Sequence, residues 1–189
     1  MKAIQTIPHS GKRIAGACAV AVGTLSSLLS TGVFAIDKPR FDYQGAAALC
    51  QPSSPIHEAN LRSRPLGLSN SGTKTAFVTC ALQGSDPTGQ RGAYQVQVNV
   101  GNNDTVAKII TCTLVVVFRK PGETVDRTVY IPRSASVPAG SGGFISWVPT
   151  DLTGTTGGPE ISKSGVSCGL PKKTTLQYTG NYYREDVGN

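Results

Sequence analysis

The chain is short of the residues that most chemistry needs. Its 189 residues include two histidines, one tryptophan and eleven acids, and no acid precedes Asp37. Beyond the first 35 residues the only histidine is His57, beside Glu58 in a proline-rich stretch. No Gly-x-Ser-x-Gly elbow accompanies it, so nothing marks a serine as the nucleophile of a triad. The acids are few and scattered, so a glycosidase pair such as Asp126 with Glu160 can be imagined but has no support in the pattern. The glycine clusters at 139–143 and 153–158 lack a following Lys-Ser/Thr, which excludes a phosphate-cradling loop. Asn102-Asn103-Asp104 lacks the repeated oxygen-donor spacing of a calcium loop and reads as a turn. These absences argue against an enzyme and against a metal or other cofactor.

The start of the chain has its own character. Lys2, Lys12 and Arg13 precede an apolar stretch from Ile14 that closes on Val33-Phe34-Ala35. A basic segment, a hydrophobic segment and a small-x-small ending form an export signal, with cleavage expected after Ala35. Gly16, Gly23, Ser26, Ser27, Ser30 and Gly32 make the stretch too polar for a membrane anchor. Cys18 sits before most of the apolar run, which disfavours a lipoprotein acceptor role. The expected product, residues 36–189, is one domain in a secreted or periplasmic setting, with no stable membrane insertion. Three of the eighteen basic residues leave with the leader, so fifteen bases face eleven acids, a net +4. Those bases are dispersed and no aromatics interleave with them, which excludes a nucleic-acid partner.

Four cysteines remain: Cys50, Cys80, Cys112 and Cys168. An even count in an exported chain reads as two disulfides. Gaps of 30, 32 and 56 residues do not resemble the close pairs of a zinc site. Of the three possible pairings, Cys50–Cys80 and Cys112–Cys168 join neighbours along the chain and are preferred. Each crosslink would add roughly 3–4 kcal/mol in the chain-entropy model. Three of the cysteines sit in one repeated pentapeptide: Val78-Thr79-Cys80-Ala81-Leu82, Ile110-Thr111-Cys112-Thr113-Leu114 and Val166-Ser167-Cys168-Gly169-Leu170. In a strand, alternate side chains share a face, so each cysteine lies amid an apolar, core-facing row. The disulfides are expected to lock two layers of sheet together.

The rest of the pattern is also that of strands. Residues 94–100 alternate polar and apolar without a fault. A long strand is expected from Thr105 to Phe118, with Leu114–Phe118 apolar on both faces as in a covered strand. Thr124 to Ile131 follows, where Arg127 breaks the apolar face and implies an edge or a nearby acid. Further strands are expected at Phe144–Val148, around Cys168 and from Thr174 to Tyr183, with Gln51–Thr73 as an early loop and no amphipathic helix. Seven to nine short strands separated by Gly, Pro and Asn turns indicate an antiparallel β-sandwich of Greek-key or jelly-roll type.

Function is carried by few residues. Trp147, Tyr178, Tyr182 and Tyr183 are the candidate binding side chains, because flat aromatic faces stack on the C–H faces of sugars. Trp147 also fits a core plug. The reading is a non-catalytic exported binding module for a glycan or a cell-surface partner. The alternative is a structural or assembly subunit acting through sheet edges. A secreted hydrolase stands third.

Overall fold

The computed structural model describes residues 36–82, 92–119, 123–156 and 160–188. The expected leader, 1–35, lies outside them, as do parts of the expected turn at 120–123 and of the glycine-rich loop at 153–159. Among the described residues, eleven strands form two antiparallel sheets. In the first sheet, β3 (Leu61–Arg64), β4 (Gly67–Asn70), β11 (Thr174–Asp186), β6 (Gln95–Asn102) and β9 (Gly142–Trp147) lie in that order, and β1 (Asp37–Gly45) pairs with the later part of β11. The second sheet runs β2 (Cys50–Pro52), β5 (Ala76–Ala81), β10 (Lys163–Leu170), β7 (Lys108–Phe118) and β8 (Arg127–Val137). The rows β4-β11-β6-β9 and β5-β10-β7-β8 are the strand orders of a jelly roll. Three of the strands have four residues or fewer, and the other eight fall within the expected number.

Alternation decides which residues are inside. Val96, Val98 and Val100 of β6 are buried, while Gln95, Gln97 and Asn99 between them face outward. In β7 the buried set is Ile110, Cys112, Leu114, Val116 and Phe118. The three repeated pentapeptides belong to β5, β10 and β7, adjacent strands of one sheet, all turned to the same core.

Both preferred disulfides are present, and both differ from the expected arrangement in one respect. Cys50 is the register partner of Cys80, and Cys112 that of Cys168, with Cα–Cα separations of 4.0 Å. Each bond therefore ties neighbouring strands of the second sheet rather than the two layers. Side-by-side strands bring facing Cβ atoms close enough to bridge, whereas packed layers stand ~10 Å apart. Replacing Cys112 and Cys168 together by Ala should lower unfolding free energy by about 4 kcal/mol, read from urea unfolding curves, with a steeper slope because the uncrosslinked chain exposes more surface when unfolded.

Polar side chains at the corners help hold the layers together. Asn70, at the end of β4, donates to the carbonyls of Lys74 and Leu170 and accepts from the Gly72 amide. Asn102, at the end of β6, donates to the carbonyls of Val106, Val137 and Pro138 and accepts from the Asp104 amide. Both are buried, and both stand where the chain leaves the first sheet for the second. On one open side Arg133 of β8 reaches the Ser146 carbonyl of β9 at 2.6 Å and pairs with Asp151, while Trp147 donates its ring N–H to Ile131 at 2.9 Å. Arg127 lies on the edge strand β8 and is paired with Glu123 at 2.9 Å, as its interruption of the apolar face implied.

Two stretches depart from the sequence reading. Gln51–Thr73 is not one loop: it holds β2, a single helical turn α2 (Pro55–Glu58) and the β3–β4 hairpin. Ala46–Leu49 is likewise a helical turn, α1, and a third turn, α3, covers Thr150–Thr153. β8 begins later than expected and continues through Pro132 to Val137; an edge strand tolerates proline because one side needs no donor.

The Asn102 corner has an acid-sensitive neighbour. Asp104 lies 3.0 Å from the Lys108 ammonium and 3.5 Å from that of Lys173, and it accepts from the Thr105 amide. The Lys108 hydrogen bond first, then the Thr105 amide, pull its carboxyl down to about 2. A depressed pKa stabilises the fold above the unfolded value of 3.8 and loses that contribution as pH falls to about 2. Asp104→Asn should therefore flatten the stability profile across that window in an acid titration followed by circular dichroism.

Candidate functional site

Four of the six strands of the first sheet, β1, β11, β6 and β9, carry the aromatic part of its outward face. β1 is an edge strand whose outward positions include Phe41 and Tyr43, 63% and 49% exposed. Across the ladder from them lie Tyr182 and Gly180 of β11, and Tyr178 follows two residues before. β6 adds Gln95, Gln97 and Asn99, and β9 adds Phe144 and Ser146. The inward partners of these residues, among them Val96, Val98, Ile145 and Trp147, fix the orientation, since a one-residue slip would exchange the faces.

The rings on this face touch one another. Tyr43 meets Tyr178 edge-on at 5.2 Å between centroids and Tyr182 at 6.0 Å. Phe41 stands 5.9 Å from Tyr182, and Tyr94, just before β6, stands 6.2 Å from it. Tyr43 lies over Gly180, where a Cβ would come within 2.8 Å of its ring atoms. Only glycine leaves that space, so the ring packs against bare backbone. Hydroxyls and amides are joined as well. The Tyr43 and Tyr182 hydroxyls share a hydrogen bond, Asn99 donates to the Tyr178 hydroxyl, and Gln97 donates to Asn99 at 2.7 Å. The hydrogen bond with Tyr43 and then partial burial push the Tyr182 phenol up to about 12. Both push toward the neutral phenol, so Tyr182 stays uncharged at physiological pH.

Of the four side chains expected from sequence, the structure brings two together. Tyr178 and Tyr182 join the cluster. Tyr183 points to the opposite side of β11, as alternation requires. Trp147 is 0% exposed and hydrogen-bonded within the core, so it offers no face to a ligand and leaves the candidate set. Phe41, Tyr43, Gln97, Asn99 and Phe144 were not anticipated. For Gln97 and Asn99 the signal lay in the alternation of β6, which puts both on the side opposite the buried valines.

The residues considered for catalysis are occupied elsewhere. The His57 ring packs on Phe77 at 5.3 Å. Asp126 is paired with Arg119 at 2.8 Å, and Glu160 accepts the Gly92 amide at 2.8 Å. A groove of about 560 Å³ on the second sheet is lined by Thr79, Val115, Val117, Ser164 and Ser167, with Lys163 its one charged group. No acid or histidine among the described residues lines it. Among the described residues no cluster of three His, Cys, Asp or Glu could hold a metal ion, and no helix is long and apolar enough to cross a membrane.

No family model matches the chain, and no curated protein does. The solved structures that resemble it include carbohydrate-binding modules. One is a Family 16 Carbohydrate Binding Module-2, at 11% identity and a TM-score of 0.30, covering 65% of this chain and 74% of that one. Another is the Family 11 Carbohydrate-Binding Module from Clostridium thermocellum in complex with a β-1,3-1,4-mixed-linked tetrasaccharide, at 10% identity and 0.30, covering 85% and 90%. The chain also aligns with 25% of the length of the Clostridium thermocellum xylanase 10B CBM22-1–GH10 modules, at 14% identity and 0.32, over 75% of its own length. The fold assignment rests on the strand order itself: a disulfide-stapled jelly-roll sandwich with one aromatic outer face.

Proposed function

We propose that this chain is a non-catalytic glycan-binding module that works outside the cytoplasm, with the outer face of the first sheet as its combining surface. The observation that carries the reading is the conjunction of half-exposed rings with hydrogen-bonding side chains on one sheet face. Tyr43, Tyr178 and Tyr182 supply flat apolar area, and Gln97 and Asn99 stand beside them with amide groups that can meet sugar hydroxyls. Packed strands hold these groups in place before any ligand arrives, which reduces the ordering cost of binding. The two disulfides support an oxidising compartment.

The assembly reading draws less support. The edge strand β8 carries Pro132 and is interrupted by Arg127 and Arg133, features that blunt strand addition. Electrophoresis in native gels containing soluble polysaccharides tests the glycan reading, together with retention on insoluble ones. The protein should be slowed by at least one neutral polysaccharide, and Tyr43→Ala should migrate as in a gel without it. Unaltered mobility in every gel, with no retention on any solid, would remove the reading.

A further inference from the structure

Phe144 stands apart from the ring cluster on the same face. It is 62% exposed on the edge strand β9, directly across the ladder from Asn99, which in turn faces Tyr178. One row therefore crosses three strands as Tyr178, Asn99, Phe144: ring, amide, ring. With β1 included, three inter-strand steps separate Tyr43 from β9, or roughly 14 Å at the usual spacing of strands. That span is too wide for one sugar ring and suits a chain of several. Among the described residues, the outward positions of β1, β11, β6 and β9 from Phe41 and Tyr43 to Phe144 and Ser146 carry no charged side chain, and Arg133 meets only the border, at the Ser146 carbonyl. Arg184 and Asp186 lie beyond Tyr182 at the far end of β11, and Arg64 lies on β3. An exposed phenylalanine without a ring partner needs no special account on its own. Here its register with the amide and the tyrosine gives it one.

Resting on the glycan reading, we infer that the ligand is an internal stretch of an uncharged polysaccharide lying across the strands. Phe144 is then a second stacking platform, separate from the tyrosine cluster. A carboxylated chain would bring negative charge over an apolar, amide-lined surface with no cation at its centre, and would give up hydration without compensation.

Calorimetric titration of the intact protein tests this with neutral gluco-, xylo-, galacto- and manno-oligosaccharides, each from monomer upward, and with polygalacturonate. For at least one neutral series, affinity should rise with chain length and then level off. Phe144→Ala should bind short oligomers as the parent does and lose about tenfold on the long ones, a step of about 1.4 kcal/mol. Because Phe144 is exposed, the variant should fold, and its circular dichroism spectrum should match the parent's. Affinity independent of length, a preference for polygalacturonate, or an unchanged Phe144→Ala would overturn the inference and leave the glycan reading standing. No binding by any sugar in either protein would overturn both.

Discussion

Replacing Asn102 by Ala should lower the free energy of unfolding by about 3 kcal/mol, a large share of the ~5–15 kcal/mol typical of a domain. The side chain is 1% exposed and serves four backbone groups: the carbonyls of Val106, Val137 and Pro138 and the amide of Asp104. Deleting it strands these groups where water has poor access, and each buried unsatisfied group costs ~1–3 kcal/mol. Val137 ends β8 in the second sheet and Pro138 follows it, while Asn102 ends β6 in the first, so the loss loosens a corner between layers. The melting temperature should drop by roughly 6–12 °C for a domain of this size. Asn102→Asp should be worse than Ala despite its shape, because an anion would face carbonyl oxygens in place of donors. Asn103→Ala, next in the chain but exposed, should cost under about 1 kcal/mol. Equal losses at 102 and 103 would contradict the corner's role.

The second large effect concerns binding. Tyr43→Ala combined with Tyr182→Ala should weaken binding to the best neutral polysaccharide by at least about a hundredfold, near 2.8 kcal/mol. Both rings lie on one face at 6.0 Å, and Tyr43 also shields the backbone at Gly180. Tyr43→Phe with Tyr182→Phe keeps the stacking area and deletes only the hydroxyl pair, so it should lose a few-fold. Tyr183→Ala, on the opposite side of the same strand, should bind like the parent. Since the Tyr182 phenol is pushed up to about 12, its hydrogen bond with Tyr43 is intact below the ordinary tyrosine value of 10.0 and fails as pH rises through about 12. Binding should accordingly show no titration of Tyr182 at physiological pH. A hundredfold loss from Tyr183→Ala would show that the ligand sits elsewhere.

Much of the sandwich is readable from the chain because alternation is a strong signal where one face is buried. Gln95–Val100 and the three cysteine pentapeptides carry it, and they supply β6, β5, β7 and β10. β1 was invisible for the converse reason. Its run Asp-Lys-Pro-Arg-Phe-Asp-Tyr-Gln-Gly lies on an edge, is exposed at most positions, and mixes charge with a proline. No periodicity survives in such a segment, yet it brings Phe41 and Tyr43 to the site. β3 and β4 are four residues each, too short for a period to register.

Another signal was present and unread. Asn102 follows Asn70 by 32 residues, the same offset that separates Cys80 from Cys112 and Val78 from Ile110. The two corners are copies of one device: asparagine at a strand end, a turn, then a cysteine-bearing strand in the other sheet. The pentapeptide spacings alone hid this, because the third copy, at Cys168, does not keep the interval. Trp147 shows the limit of residue type as a guide. A tryptophan is a good sugar platform only when exposed, and its alternation with Ile145 already placed both on the buried side.

Titrating isotope-labelled protein with a neutral oligosaccharide, and following backbone and side-chain resonances, is the most direct measurement. Shifts should concentrate at Tyr43, Tyr178 and Tyr182 and at the side-chain amides of Gln97 and Asn99. Shifts gathered instead at Phe77, Thr111 and Thr113, on the outside of the second sheet, would contradict the assignment of the combining face.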